Sequence, residues 1–160
     1  MTVAMYPGRF DPVTLGHLDI LKRAAAVWDE VVVGVVESSS TLFSTEERIE
    51  MFMEAASGHP NVRVTAIRGL TVEAAGEEGA TVLVRGLRYI TDFNVEFDMA
   101  LMNRSMAPAV ESVFLMTAVE YLYVSASRIR ELAAFGRDVS EFVPPGVAER
   151  IVAKIAAQQR

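Results

Sequence analysis

Residues 3–17 read VAMYPGRFDPVTLGH, and they join an apolar strand to the start of a helix. Val3 to Tyr6 is a short apolar run of the kind that forms buried strands. The chain then turns through Pro7-Gly8, and an extended loop at Asp11-Pro12 leads to Gly16-His17, where a helical pattern begins. A strand that passes through a glycine-containing loop into a helix is typical of α/β folds that bind anions at the helix N-terminus.

The rest of the chain continues this alternation of strands and amphipathic helices. The predicted strands are Val3 to Tyr6, Glu30 to Val36, Asn61 to Ile67, Thr81 to Arg85 and Ser112 to Met116. The predicted helices are Gly16 to Trp28, Thr45 to Ala56, Leu70 to Glu78, Asp92 to Met106, Ser127 to Phe135 and Gly146 to Gln159. Ser44 and Glu47 have the spacing of a capping box that starts the second helix. The uninterrupted Val-Val-Val-Gly-Val-Val run in the second strand is typical of a strand that is covered on both faces.

We therefore predict one α/β domain over residues 1–160. Its core is a Rossmann-like, doubly wound, five-stranded parallel sheet, and a C-terminal helical segment follows the sheet. No internal repeat or Pro/Ser-rich linker divides the chain. Ligands of such sheets bind outside the carboxyl ends of the strands, so functional residues are expected directly after strands.

Composition narrows the class of protein. Apolar residues make up 51% of the chain, cysteine is absent, and the formal net charge is −6. The absence of cysteine excludes disulfides, thiolate metal sites and cysteine nucleophiles. The acidic charge argues against a general nucleic-acid binder. No apolar run approaches the roughly 20 residues of a membrane span, and no leader precedes the first strand, so we expect a cytoplasmic protein without a membrane partner. We expect part of the apolar surplus to lie in subunit contacts.

Three segments carry residues that suit phosphate binding, and each follows a predicted strand. In the first, His17 lies in the first turn of a helix whose free N–H groups attract anions, and its ring can donate a hydrogen bond to a phosphoryl oxygen. The second is Val84 to Arg88, in which two arginines flank a turn glycine. The third is Tyr121 to Arg128, which offers two serine hydroxyls and opens another helix.

Each of these features also has a purely structural interpretation, as a turn glycine, a surface arginine pair or a serine N-cap. The T-x-G-H spacing directly after a strand and loop favours a functional role for His17. Glu96, with Asp92 one turn earlier, has the pattern of a solvated helix face. The Met and Phe residues from Phe93 to Met106 are interpreted as core and subunit interface rather than as a cofactor site.

Taken together, the motifs resemble those of the phosphopantetheine adenylyltransferases over nearly the full length. The matches are P-G-x-F-D-P-V-T-x-G-H-x-D-I at Pro7 to Ile20, F-x-x-E-E-R at Phe43 to Arg48, R-G-L-R-x-x-x-D-F-x-x-E at Arg85 to Glu96, M-N-R at Met102 to Arg104, E-S-V-F-L-M at Glu111 to Met116, and the tail G-R-D-V-S-E-F-V-P. The T-x-G-H element alone would indicate only the broader group that includes cytidylyltransferases and nicotinamide-mononucleotide adenylyltransferases, whereas the combination is specific.

The resemblance implies transfer of AMP from ATP to 4'-phosphopantetheine by direct in-line attack, giving dephospho-CoA and pyrophosphate. It implies that His17 stabilises the transition state and that Mg²⁺ rides on the triphosphate and keeps most of its waters. The residues implied to bind nucleotide are Arg9, Phe10, His17, Gly86, Leu87, Arg88, Glu96, Tyr121, Leu122, Tyr123, Val124, Ser125, Ala126 and Ser127. Those implied to bind the acceptor are Arg9, Thr41, Thr71 and Arg85. Dephospho-CoA or CoA as ligand and a homohexameric assembly are implied as well.

Two departures from the family pattern fall in the site. Arg9 stands where the family has threonine or serine, and the loop Glu37 to Phe43 is shorter than in the family and lacks its phosphate-binding lysine. The two lysines of the chain, Lys22 and Lys154, cannot substitute by position. A smaller departure is Ala126, where the family usually has a third serine. We hypothesise that Arg9 replaces the missing cation; the competing interpretation is that Arg9 fills the acceptor site and weakens the enzyme or alters its specificity.

Two other functions are considered beside this one. The first is an adenylyltransferase or cytidylyltransferase for a different phosphorylated acceptor, which the changed acceptor-side residues favour and the intact R-G-L-R motif disfavours. The second is a non-catalytic protein that binds nucleotide or coenzyme A. His17 counts against that function, because a binding protein does not need this ring at the helix N-terminus.

Overall fold

The computed structural model describes residues 1–158 of the chain as alternating strands and helices. The strands are β1 (Val3–Gly8), β2 (Glu30–Val36), β3 (Val62–Ile67), β4 (Val82–Leu87) and β5 (Glu111–Met116). The α-helices are α1 (Leu15–Val27), α2 (Thr45–Ala55), α3 (Thr71–Glu77), α4 (Ile90–Met106), α5 (Ala126–Ala134) and α6 (Val147–Gln158). Each predicted element is found within a few residues of its predicted bounds. Gln159, the predicted end of the last helix, lies outside the described residues.

The five strands form one sheet in the order β3-β2-β1-β4-β5, and every neighbouring pair is parallel. This confirms the predicted doubly wound α/β fold with a C-terminal helical segment. The chain proceeds from β1 to β2 and β3 on one side and then adds β4 and β5 on the other. The winding direction therefore reverses between β1 and β4, which is where open sheets of this kind bind their ligands.

The two central strands separate towards their carboxyl ends. β1 pairs with β2 from Val3 to Gly8, but it pairs with β4 only at Ala4 and Met5. Beyond these residues Arg85 of β4 spans the gap, because its Nη1 donates a hydrogen bond to the carbonyl oxygen of Pro7 at 2.9 Å. The separation leaves a crevice beside the N-terminus of α1.

The sheet has a buried core on each face. Alternate residues of β1 show this division, since Ala4 and Tyr6 belong to one core while Val3 and Met5 belong to the other. Helices α1, α2, α5 and α6 cover the first core, and α3 covers the second. All of the residues from 31 to 35 in β2 are buried. The prediction from the valine run, a strand covered on both faces, is therefore confirmed.

Helix α4 corrects one expectation. It contains no buried residue, and its side chains Phe93, Phe97, Leu101 and Met102 are 40%, 46%, 53% and 62% exposed. The expectation that the Met and Phe residues of this segment contribute to the core is therefore wrong for the single chain. The helix lies against β4 and β5 at one end of the sheet, so most of its surface faces outward.

Gly86 also differs from its predicted role as a turn glycine. It lies inside β4 and pairs with Leu115 of β5. A Cβ atom at this position would approach Cγ1 of Ile20 to 3.1 Å, so a side chain here would press on helix α1. The glycine therefore permits close packing of helix on strand directly below the crevice. Within the described residues, no helix is both long enough and apolar enough to span a membrane.

Candidate active site

A cavity of about 590 Å³ opens at the carboxyl ends of β1 and β4 and brings the three predicted segments together. The predicted site residues that line it are Arg9, Phe10, His17, Thr41, Arg85, Gly86, Arg88, Glu96, Tyr121, Val124, Ser125, Ala126 and Ser127. Thr71 lines a neighbouring cavity. The remaining three predicted residues, Leu87, Leu122 and Tyr123, line neither: Leu87 is buried, and Tyr123 packs edge-on against Phe142.

His17 is held by a capping box at the start of α1. Thr14 is the N-cap, and its Oγ1 accepts a hydrogen bond from the backbone N–H of His17 at 3.2 Å. In return, the backbone N–H of Thr14 donates to Nδ1 of His17 at 3.0 Å. Because Nδ1 of the neutral ring accepts, the proton is on Nε2. The Nε2–H group therefore remains available as a donor in the cavity that His17 lines.

The imidazole of His17 is kept neutral by its surroundings. Burial lowers its pKa to about 4, with contributions from the positive charges of Arg88 and Arg85. A ring with this pKa carries no charge near neutral pH, and its accepting nitrogen is already occupied by Thr14. His17 is thus suited to donate a hydrogen bond to an anionic oxygen rather than to act as a general base.

The ring of Phe10 packs against the ring of His17 and fixes its position. Phe10 is 3% exposed, and its ring packs edge-on against the rings of His17, Tyr6 and Phe52 at centroid distances of 5.0, 5.2 and 4.6 Å. The backbone at Phe10 has a φ of 48°, in the left-handed region, which turns the ring back over the end of β1. A Cβ atom at position 8 would lie 2.7 Å from Cζ of Phe10, so Gly8 leaves the space that this ring occupies.

The low pKa of His17 predicts how stability changes with pH. The unfolded histidine binds a proton near pH 6.5, whereas the folded one does so only near pH 4. Between these values the unfolded chain holds more protons, so the free energy of unfolding falls as the pH is lowered. From pH 7 to pH 5 we expect wild type to lose about 2 kcal/mol more than His17→Gln. Urea unfolding at both pH values measures this, and equal losses in wild type and His17→Gln would contradict the assigned pKa.

Two arginines of the cavity are paired with carboxylates of α4. Arg85 donates to both oxygens of Glu96, from Nε at 2.8 Å and from Nη2 at 2.6 Å. Arg88 donates from Nε to Asp92 at 3.3 Å, and the backbone N–H of Arg88 contacts the same carboxylate oxygen. Glu96 is therefore a direct partner of Arg85, and both residues lie where the two cavities meet.

Asp11 and Arg130 were not among the predicted site residues, yet they organise the loops of the site. Asp11 is 3% exposed, and its carboxylate accepts from the backbone N–H groups of Leu42 at 2.8 Å and Phe43 at 3.0 Å. Arg130 of α5 lies 3.5 Å from the same carboxylate and also donates to the carbonyl oxygen of Asp11. The loops after β1 and β2 and the first turns of α5 are thereby joined. The sequence features that could have indicated these two residues are an acidic residue before a proline in an apolar loop and an arginine about one helical turn after Ser127.

A second cavity of about 320 Å³ adjoins the first and is lined largely by apolar side chains. It lies between the N-terminus of α3, strand β4 and helix α4, with Thr71, Leu83, Met99 and Phe114 among its lining residues. Pro7, Arg85 and Glu96 line both cavities. The two cavities can therefore accommodate a charged group on one side and an extended, mostly uncharged chain on the other. Across residues 1–158, no group of three or more His, Asp or Glu side chains could hold a metal ion.

Comparison with known proteins gives a consistent result. The model of the family described as cytidylyltransferase-like matches residues 5–132. The chain is 49% identical over 156 residues to a phosphopantetheine adenylyltransferase of Heliobacterium modesticaldum, covering 96% of this chain and 93% of the relative. It is 51% identical over 154 residues to the protein of that name from Desulforudis audaxviator, covering 95% and 94%. A solved structure, a putative nicotinate-nucleotide adenylyltransferase from Vibrio parahaemolyticus, matches with a TM-score of 0.72 at 18% identity over 97% of this chain and 95% of that one, which shows a shared fold.

Proposed function

Because the chain belongs to the phosphopantetheine adenylyltransferase family, within the cytidylyltransferase-like proteins, we propose that it transfers AMP from ATP to 4'-phosphopantetheine, giving dephospho-CoA and pyrophosphate. The observation that carries the proposal is the neutral His17, whose Nε2–H is available at the N-terminus of α1 in the cavity where the three segments predicted to bind phosphate meet. A binding protein would have no need of a donor fixed in this way.

The proposed reaction is a direct displacement at the α-phosphorus of ATP. An oxygen of the acceptor phosphate forms the new P–O bond, and the bond to the β-phosphate breaks, so that pyrophosphate leaves. Negative charge on the α-phosphate oxygens is stabilised by Nε2–H of His17 and by the N–H groups at the start of α1. The protein contributes position and charge and forms no covalent intermediate.

The second cavity supports 4'-phosphopantetheine as the acceptor. Its lining by Leu83, Met99 and Phe114 suits the aliphatic parts of a pantetheine arm, and Asn103 and Thr71 offer polar groups for its amides. Pro7 and Arg85 lie where this cavity joins the first, which would place the acceptor phosphate beside the reacting α-phosphate. Dephospho-CoA and CoA carry the same arm, so we propose the same cavities for them.

We propose Mg²⁺ as the cofactor, carried by the phosphates of ATP. The carboxylates that line the first cavity, those of Asp11, Asp92 and Glu96, all face arginine partners. They are poor candidates for direct ligands, so phosphate oxygens and water would complete the coordination shell. When bound, the ion would neutralise part of the triphosphate charge. The use of ATP also supports the proposal of a cytoplasmic location.

A pyrophosphate-release assay tests the proposed function. We expect release with ATP and 4'-phosphopantetheine, and much slower release when CTP replaces ATP or when nicotinate mononucleotide replaces the acceptor. Release with another phosphorylated acceptor but not with 4'-phosphopantetheine would support a different transferase. Binding of ATP without release for any acceptor would support a non-catalytic role.

We further propose that the protein is a homo-oligomer, in the form of a homohexamer, with α4 in the subunit contact. Phe97, Leu101 and Met102 expose much of their apolar surface on this helix, and Met116 at the end of β5 is 63% exposed. Monomeric proteins rarely leave a contiguous apolar surface of this kind open to water. If a neighbouring subunit covers this apolar face, that also explains why α4 has no buried residue in the single chain, although half of the residues of the chain are apolar.

Leu101→Glu is expected to break this contact. The new carboxylate would have to be buried without a partner, which strongly disfavours association. Sedimentation velocity should show a hexamer for wild type and smaller species for Leu101→Glu. Val152→Glu is the matched control, since Val152 is a similarly exposed apolar residue on α6. Unchanged sedimentation of Leu101→Glu would contradict the role of α4, and a monomeric wild type would contradict the oligomer itself.

A further inference from the structure

The charges that line the first cavity do not balance. Four arginines face three carboxylates there, and His17 is neutral. Three of the arginines have carboxylate partners, since Arg85 pairs with Glu96, Arg88 with Asp92, and Arg130 with Asp11. Among residues 1–158, no carboxylate forms an ion pair with Arg9. The net positive charge of the cavity therefore belongs to Arg9.

The loop after β2, which borders the same side of the cavity, supplies no cation. Ser40 and Thr41 are the residues by which it lines the cavity, and both are neutral. The hydroxyl of Thr41 is engaged within the loop, close to the carbonyl oxygens of Phe43 at 2.8 Å and Ser38 at 3.1 Å. Glu37 at the start of the loop pairs with Arg68, which itself is 82% exposed. On this side, Arg130 pairs with Asp11, so within the described residues Arg9 is the arginine that offers an anionic ligand a charge without an ion-pair partner.

The backbone of Arg9 is fixed while its side chain is exposed. The carbonyl oxygen of Arg9 accepts a hydrogen bond of 2.6 Å from Nη1 of Arg48, whose side chain is fully buried. The following ring, Phe10, is packed into the core. Pro7, two residues before Arg9, lines both cavities. The guanidinium thus extends from a rigid base in the first cavity, which the second cavity adjoins.

We propose that Arg9 binds the phosphate of the acceptor and supplies the net positive charge that draws this phosphate to the junction. The proposal rests on the proposed function above and adds to it the residue that sets the affinity for a phosphorylated acceptor. An acceptor whose arm fills the apolar cavity presents its phosphate at the junction, where the other guanidinium, that of Arg85, is already held by Glu96. Arg9 has no such partner to displace.

Steady-state kinetics of Arg9→Ser test the proposal. We expect the KM for 4'-phosphopantetheine to rise about 10- to 100-fold, as for the loss of one charge-assisted hydrogen bond. The KM for ATP and kcat should change by less than about threefold, because the contact is made in the ground state and the transition state alike. Arg9→Lys should recover part of the acceptor affinity, since it restores the charge without the planar fork. Added salt should raise the acceptor KM of wild type more than that of Arg9→Ser.

Arg137→Ser is the matched control. Arg137 is exposed and lies outside both cavities, and its replacement by serine removes the same unit of charge. The acceptor KM of this variant should therefore equal that of wild type. An unchanged or lower acceptor KM in Arg9→Ser, or a rise confined to ATP, would overturn the proposal. Wild type that releases no pyrophosphate with 4'-phosphopantetheine would instead contradict the proposed function, so the two failures are distinguishable. Equal melting temperatures of wild type and Arg9→Ser exclude a folding defect as the cause.

Discussion

His17→Ala is expected to lower kcat by about 10²- to 10³-fold, the usual loss when one well-placed donor to a developing anion is removed. The KM for ATP should change little, because the hydrogen bond from Nε2 strengthens mainly as charge develops on the α-phosphate. Single-turnover measurements with saturating ATP and acceptor report the chemical step directly. The chain should remain folded, since alanine favours the helix α1, in whose first turn His17 lies, and the lost cap costs about 1 kcal/mol.

The chain provides its own control for this experiment. His59, the other histidine, lies outside both cavities, so His59→Gln should keep wild-type kcat. A His17→Ala variant with near wild-type kcat would remove the ring from the mechanism and leave the N–H groups of α1 as the main source of charge stabilisation. A loss expressed only in the KM for ATP would assign His17 to substrate binding.

Arg48→Ala is expected to have the largest effect on stability, about 3–5 kcal/mol in the free energy of unfolding. Arg48 is fully buried and donates to the carbonyl oxygens of Arg9 at 2.6 Å, Val36 at 2.9 Å and Ser44 at 3.3 Å. Its Nη2 also donates to Oγ1 of Thr45 at 3.0 Å. Alanine would remove the side-chain donors to the carbonyl oxygens of Arg9 and Val36 and would open a cavity beside α2. Urea unfolding followed by far-UV circular dichroism measures the change.

Arg48→Lys provides a second measurement if the alanine variant does not accumulate as folded protein. Lysine keeps the charge and one or two of the hydrogen bonds, so an intermediate loss is expected. Arg68→Ala is the control, because Arg68 is 82% exposed and its ion pair with Glu37 contributes little. A loss for Arg48→Ala no larger than that for Arg68→Ala would mean that the buried hydrogen bonds do not stabilise the loops after β1 and β2.

The pattern of apolar residues along the chain was sufficient to predict the architecture. The valine run of β2 required cover on both faces, and β1 and the strands after it alternate with amphipathic helices, which leaves few arrangements other than a doubly wound parallel sheet. The capping box at Ser44 and Glu47 was also readable, because serine and glutamate three residues apart are its usual members. Helix α4 was the exception. Its apolar residues indicated burial, but a pattern cannot distinguish a core from a surface that a partner would cover.

The sequence predicted which segments form the candidate site, but it did not predict which side chains in those segments contact one another. The sequence placed His17 at a helix start, and the structure adds that Thr14 and His17 form a capping box, which fixes the proton on Nε2. Histidine is an unusual member of this motif, so the spacing alone did not reveal it. The pairing of Arg85 with Glu96 depends on how β4 meets α4, and that of Asp11 with Arg130 joins residues more than a hundred positions apart. Such distances carry no periodic signal in a single sequence.

In the proposed mechanism, the capping box has a consequence for the whole catalytic cycle. The hydrogen bond from Thr14 to Nδ1 forms when the first turn of α1 forms, so folding itself selects the tautomer of His17. No carboxylate is needed to orient the ring. Because His17 neither gains nor loses a proton when it donates this hydrogen bond, its protonation state is the same before and after each turnover. The ring therefore needs no proton exchange with solvent to reset it between successive substrates.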